Sequence, residues 1–326
     1  MAGQQVAVTP AAIRSTRHPG FWGMAWRRMR RNRLATFSAG VIVLFIVVAV
    51  LADLIAPHGP YEQFFKRSTE AVIDPLAQRS NGKYEGPSAA HIFGTDELAR
   101  DIFTRTVIGL RISLGAAFTA IIVVTGIGIL VGTISASGPR WVDDLFMRAT
   151  DIAYAFPDLL LIILLRAAFG NEIFGLRSFL GLDMSVLLLF LAISLTAWPT
   201  MARLVRGQLL SLREMEFSTA ARAMGAGKSR IAVRHWLPNA AGPVIVEATF
   251  LVPRAIFAEA ALSFIGLGVP PPAPSLGNLI NAHFSFVSVQ WTALAFPTLI
   301  LGVLFVVFQF FGDGLRDALD PRSSHA

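Results

Sequence analysis

Cysteine is absent from the 326 residues, so the chain can build no disulfide, no thiolate metal site and no cysteine nucleophile. Charge is scarce as well. Asp, Glu, Lys and Arg make up 15% of the residues, against roughly 25% in a soluble domain. The six histidines (His18, His58, His91, His235, His283 and His325) are scattered, with no pair at metal-ligand helical spacing. There is no G-x-S-x-G elbow for a serine nucleophile. These absences leave no catalytic constellation, no metal site and no cofactor site to expect in this chain.

What is present is apolar length. Hydrophobic residues reach 54% and Phe alone occurs 25 times. A helix needs about 20 apolar residues to cross a hydrocarbon core of roughly 30 Å. Leu34 to Ala52, Ile112 to Pro139 and Met184 to Ala202 contain no charge. Ala260 to Gly312 contains none either and is broken by Pro270, Pro271, Pro272 and Pro274. Two further spans, Ile152 to Gly170 and Ala240 to Gly268, carry internal charges. The fold class expected is an all-α integral membrane protein with six transmembrane helices.

Lys and Arg placement orients it. Arg27, Arg28, Arg30, Arg31 and Arg33 precede the first span, and Arg203, Arg206, Arg213, Arg222, Lys228, Arg230 and Arg234 lie between the fourth and fifth. Between Gly266 and Trp291 there is no Lys or Arg. An even span count then puts both termini in the cytoplasm. The formal net charge of +7 sits on these flanks, where it meets the anionic leaflet of the lipid bilayer. No nucleic-acid partner is expected. The organisation read from this is a cytoplasmic segment 1–33, a first helix 34–56, an external connection 57–111, a five-helix core 112–312 with a cytoplasmic loop 203–241, and a tail 313–326.

Charges inside spans are functional candidates, because each is costly unless paired or wetted. Glu247, Arg254 and Glu259 fall in the fifth span and are the candidates for a translocation path. Glu247 and Arg254 share a helix stripe, but a separation of about 10 Å along the axis predicts that they do not pair directly. Glu259 lies about 140° further round from Arg254.

Gly225-Ala226-Gly227-Lys228-Ser229 resembles the end of a phosphate-binding loop, but the glycine required five residues before Gly227 is Arg222, and Met215 to Met224 reads as helix rather than strand. That segment binds no ATP. Its reading is a short helix with a small-residue face (Ala220, Ala221, Gly225), a glycine turn, and a second helix stopped before Pro238. A surface without bulky side chains admits the backbone of another protein.

Ala220, Ala221, Gly225, Ile231, Leu237 and Pro238 resemble the signature loop of bacterial ABC importer permeases, with Glu216 matching an acid of its peptide-importer branch. The motif's own glutamate falls on Thr219, a departure from the pattern. The resemblance extends to Gly94, Thr95, Asp96, Glu97, Arg100 and Asp101, which are similar to the external entry of the second helix in dipeptide and oligopeptide permeases. It extends also to Ala155-Phe156-Pro157, and to Leu262-Ser263-Phe264-Ile265-Gly266-Leu267-Gly268. It implies the type I importer permease fold, a loop that docks on an ATPase subunit, and an external face beside a binding protein. The implied partners are a second permease, two ATPase subunits that bind ATP and Mg, and an extracytoplasmic substrate-binding protein in a bacterial inner membrane. Cargo is left open between di- or oligopeptides and nickel, glutathione or another small solute. An autonomous channel or secondary transporter is the reading from another class, and it lacks the internal repeat expected of one.

Overall fold

In a computed structural model, residues 21–65, 82–169, 178–179 and 182–320 are described. The chain opens with the amphipathic helix α1 (Phe21–Arg31), followed by α2 (Arg33–Val50). Asn32 caps α2 by accepting from the Ala35 amide at 3.1 Å. A short turn, α3 (Ala52–Ile55), leads into the long connection. Then come α4 (Ile102–Ser137), α5 (Arg140–Ala155) and α6 (Asp158–Phe169). A two-stranded antiparallel hairpin pairs Ser178–Phe179 with Leu182–Asp183 and enters α7 (Met184–Arg213). The second half comprises α8 (Glu216–Ala223), α9 (Lys228–Ile231), a π-helical turn (Ala232–Trp236), α10 (Leu237–Phe264), α11 (Leu276–Phe284) and α12 (Trp291–Leu319).

By length and composition α2, α4, α7 (from Leu187) and α12 can each cross a membrane. Of the expected external connection 57–111, residues 66–81 lie outside the described residues.

Three helix boundaries differ from the sequence reading. The apolar run begins at Ile112, but α4 begins at Ile102, because Asp101 caps it by accepting from the Thr104 amide at 2.7 Å. Arg105 and Arg111, which end the apolar run, are paired: Arg105 donates to the Pro60 carbonyl at 3.1 Å and Arg111 to Asp53 at 2.7 Å. The third span is not one helix from Ile152. It breaks at Phe156, whose extended backbone (φ −90, ψ 130) is what a following proline imposes. Finally, α12 continues through Asp313, Arg316 and Asp317 to Leu319, and ends where Asp320, again before a proline, is extended.

The bundle is organised around α4, α7, α10 and α12. Gly128 and Gly132 let α4 approach α7 at Met201, Ala202 and Val205. A Cβ on Gly132 would lie 2.7 Å from both the Ala202 carbonyl oxygen and Val205 Cβ. Small residues at such crossings are how membrane helices gain contact, since lipid supplies no hydrophobic drive between them. Leu110, Ala117, Phe190, Ile256, Leu262, Leu304 and Phe308 belong to one buried cluster, while Met201, Val205, Leu209, Ile231 and Trp236 belong to a second at the end carrying residues 203–241.

Candidate functional site

The loop between α7 and α10 is a built structure. Met215, extended at φ −74 and ψ 152, caps α8, and Glu216 places its carboxylate in the first turn, where it complements the helix dipole. Gly225 ends the segment at φ +82, the left-handed region that favours glycine. α8 is held down by one face. Ser218 is fully buried, donates to the Leu212 carbonyl at 2.6 Å and accepts from the Trp236 indole nitrogen at 2.8 Å. Ala221 packs beside it in the cluster with Ile231 and Trp236.

Two expectations need correction here. Ala220, Ala221 and Gly225 do not form one open small-residue face: Ala221 is buried, while Ala220 and Gly225 are exposed. The reason is geometric. Consecutive helical residues lie about 100° apart, so where α8 packs along one stripe, Ala221 turns inward and Ala220 turns away. The exposed residues are Glu216, Phe217, Thr219, Ala220, Arg222, Ala223 and Met224. Nor does the second helix stop before Pro238. The π-helical turn carries the chain on, the Leu237 amide bonding to the Ala232 carbonyl, and Pro238 follows directly in α10, so its missing N–H falls beside the π turn, where the regular ladder is already interrupted. At Thr219, where the resemblance places a glutamate, the hydroxyl accepts from Arg222 at 3.0 Å.

A second feature is the wall formed by α10. Arg254 donates to Glu247 at 2.9 Å, so the expectation that they are too distant to pair is wrong. Two turns separate them along the axis, but they share one stripe, and long helical side chains lean toward the N-terminus, which carries the guanidinium back to the carboxylate. The Arg254 side chain is 61% exposed and that of Glu247 21%. Both line a cavity of about 900 Å³ shared with Gln208 of α7 and with Gln309, Asp313 and Arg316 of α12. Arg254 also lines a second cavity of about 370 Å³ with Tyr154, Thr196 and Thr200. Tyr154 and Thr200 hydroxyls lie 2.6 Å apart there.

Glu259 was grouped with these two, but it reaches neither cavity. It is fully buried and accepts from Ser113 of α4 at 3.0 Å and from Ser263 at 2.7 Å. Ser113 also accepts from the Leu276 amide at the start of α11. Glu259 therefore joins three helices.

The third feature is the turn before α4. Gly94 adopts φ +85, with the Glu85 carbonyl and the Gln290 side chain so close that no Cβ fits. Thr95 and Asp101 form a β-bridge. Thr95 donates to the Gly82 carbonyl at 2.7 Å and accepts from the Glu85 amide. Asp96, fully buried, accepts from the Leu98 and Arg100 amides and from Arg100 Nε at 2.7 Å. Asp101 also faces His91 Nδ1 at 2.9 Å. Gly94, Thr95, Asp96, Arg100 and Asp101 are thus interior to the turn, and Glu97 is the half-buried one among them. Burial and the neighbouring Asp96 carboxylate raise the Glu97 pKa. Its Oε2 lies 3.6 Å from Nδ1 of the buried His283, whose pKa burial lowers to about 4.

Sequence reasoning missed Ser218 and Trp236. It also missed the clamp between α5 and α7, where Arg206 grips Asp143 through Nε and Nη2 at 2.6 Å each and Ser135 adds a third hydrogen bond. Arg206 appeared only as one of many basic residues, and its bidentate partner lies far away in the chain.

Residues 127–325 match the family described as binding-protein-dependent transport system inner membrane component, and residues 20–71 match the N-terminal TM domain of oligopeptide transport permease C. A Brucella suis chain described as a peptide permease protein is 39% identical over 91% of this chain and 89% of its own length. The dipeptide transport system permease protein DppC of Bacillus subtilis is 36% identical, covering 91% of this chain and 85% of its own. The oligopeptide transport system permease protein OppC of the same organism is also 36% identical, over 92% and 90%. Among solved structures, a chain of the MetNI methionine ABC transporter in an inward facing conformation superposes with a TM-score of 0.52 at 22% identity. It covers 66% of this chain and 96% of that one, a likeness of fold.

Proposed function

Because the chain belongs to the binding-protein-dependent transport family of inner membrane components, we propose that it is a permease subunit of an ATP-driven importer of di- or oligopeptides. It is a multi-pass, non-catalytic membrane component. It forms half of the translocation path and passes the motion of ATPase subunits into that path.

The observation that carries this reading is α8. A short helix anchored by Ser218 and Ala221, exposing Phe217, Thr219, Ala220 and Met224, suits insertion into a cleft of another protein. Glu216, Gly225, Ile231, Leu237 and Pro238 set its ends and its attachment to α10. ATP and Mg are bound by two partner ATPase subunits. A second, homologous permease completes the path, and an extracytoplasmic binding protein delivers cargo to the side bearing residues 82–101. Both termini and residues 203–241 lie in the cytoplasm, in keeping with the concentration of Arg and Lys there. The turn of Gly94, Thr95, Asp96, Glu97, Arg100 and Asp101 braces that external side, and Glu259 locks α10 to α4 and α11. The path runs along α10, past Glu247 and Arg254.

The test is purification of the tagged chain from its native membranes in mild detergent, followed by reconstitution. Recovery with a second permease and ATPases, and ATP-dependent peptide uptake supported by a binding protein, is the expected result. Recovery of the chain alone, with uptake driven by an ion gradient, overturns the importer reading. Uptake of nickel or glutathione in place of peptides overturns the cargo.

A further inference from the structure

Arg254 stands where the two cavities meet, and it is the charged residue of the inner one, whose other lining groups are apolar or hydroxyl-bearing. Its partner Glu247 lines the larger cavity, here called the outer one, and not the smaller, inner one. The pair is closed at 2.9 Å but not sealed, with the guanidinium largely exposed. A charge carried across the bilayer must be wetted or keep a counter-charge close by, since an unpaired ion there costs several kcal/mol. A free peptide carries two such charges of opposite sign, one at each terminus.

We propose that Glu247 and Arg254 form an exchange site for zwitterions, and so select cargo with both an ammonium and a carboxylate free. The carboxylate of the solute takes the place of Glu247 on the Arg254 guanidinium, whose planar fork suits two parallel N–H···O bonds. The ammonium takes the place of Arg254 on Glu247. Two ion pairs replace one, and neither protein charge is left bare while the cargo moves. When the cargo leaves, the internal pair closes again behind it. Among the other polar groups of the two cavities, which include Asp313 and Arg316 in the outer one, Gln208 and Gln309 in the outer cavity and Thr196 and Thr200 in the inner one hydrogen-bond a peptide backbone without reading its side chains. The site therefore recognises termini and tolerates sequence. This inference rests on the peptide reading above and names the residues that would make the path specific.

The absence of cysteine makes the test direct. Val246, which lines the outer cavity beside Glu247, is replaced by Cys in the assembled complex, and its maleimide alkylation is followed on this chain by gel shift. No binding protein is added, so the reading is free of its selectivity. Alanyl-alanine at millimolar concentration should slow alkylation several-fold, and its N-acetyl and C-amide derivatives should slow it less than twofold. Arg254→Gln should remove protection by free alanyl-alanine while leaving the weak effect of the amide unchanged, and Glu247→Gln should do the same relative to the acetylated form. Co-purification of the ATPase subunits with each variant, and with the double variant E247Q/R254Q, confirms assembly. Equal protection by all three peptides, or unchanged protection in both variants, overturns the exchange site while leaving peptide import standing. Absence of protection by any peptide, together with absence of peptide uptake by the unsubstituted complex, overturns the peptide reading itself.

Discussion

Trp236 donates its indole hydrogen to Ser218 Oγ at 2.8 Å, and Ser218 in turn donates to the Leu212 carbonyl at 2.6 Å. This short relay joins the end of α7, the middle of α8 and the turn that leads into α10. Any force on α8 therefore reaches two membrane helices through one buried hydroxyl.

Ser218→Ala leaves the indole N–H buried without an acceptor, a loss of about 1–3 kcal/mol. The expected outcome is a lower melting temperature of the purified complex. Binding-protein-stimulated ATPase activity should stay, while the number of peptides carried per ATP falls. Trp236→Phe removes the donor alone; Ser218 keeps its own bond to the Leu212 carbonyl, so no buried N–H is orphaned and the cost is the cavity left by the smaller ring. If Ser218→Ala transports peptide with unchanged stoichiometry and stability, the relay is not the connection.

The proposed docking face on α8 allows a cleaner separation of folding from coupling. Met224 is 82% exposed, and exposed substitutions away from special features change stability by about 0.5 kcal/mol or less. Met224→Asp and Ala220→Glu should therefore insert and fold normally, yet lose ATPase subunits on purification or lose transport. Gly225→Ala meets no atom within 4 Å. Its cost is conformational, about 1–2 kcal/mol for a left-handed alanine, and it should weaken coupling without abolishing assembly. Charge at Ala221, by contrast, is a folding defect, because that side chain is buried. ATPase co-purification and peptide uptake measured together distinguish these cases.

Much of this arrangement is legible in the sequence, and the parts that are not have a common cause. Apolar runs mark the spans well because the bilayer requires about 20 such residues. They mark ends poorly, since a helix stops at caps and prolines rather than at charges, as Asp101 and Asp320 illustrate. The loop motif locates α8, but a motif does not say which of Ala220 and Ala221 faces inward. That is decided by the packing of Ile231 and Trp236 beneath it. The Glu247–Arg254 contact was misjudged because helical rise was counted and side-chain length was not. Glu259 reads as a path residue from its position in a span. Only the arrival of Ser113 from α4 reveals it as a joint between helices.

The crossing of α4 and α7 makes a packing prediction. A methyl group on Gly132 would press on the Ala202 carbonyl and the Val205 side chain at 2.7 Å, and neither backbone can retreat without moving α7. Overpacking of this kind costs about 1–3 kcal/mol. Gly132→Ala is expected to lower the melting temperature and Gly132→Leu to prevent stable assembly. At Gly126, where nothing lies within 4 Å, Ala should be neutral. Thermal unfolding of the three variants, followed by size exclusion, checks the ranking.

The turn before α4 should make stability depend on pH. His283 titrates at about 4 in the folded chain against an ordinary value of 6.5, because burial disfavours its charged form. Below the ordinary value the unfolded chain binds a proton that the folded chain refuses. Stability is therefore full above about pH 6.5 and falls as pH drops toward 4, by at most about 1.4 kcal/mol per pH unit. Glu97 acts with the opposite sign. Its raised pKa means that the folded chain holds a proton the unfolded chain releases, so its contribution is present at low pH and is lost as pH rises through the folded value. The melting temperature of the complex should fall between pH 7 and pH 5. His283→Gln should flatten that fall, and Glu97→Gln, which removes the opposing group, should steepen it. Identical slopes for the unsubstituted protein and His283→Gln would show that the imidazole is not held neutral by burial between the turn and α11.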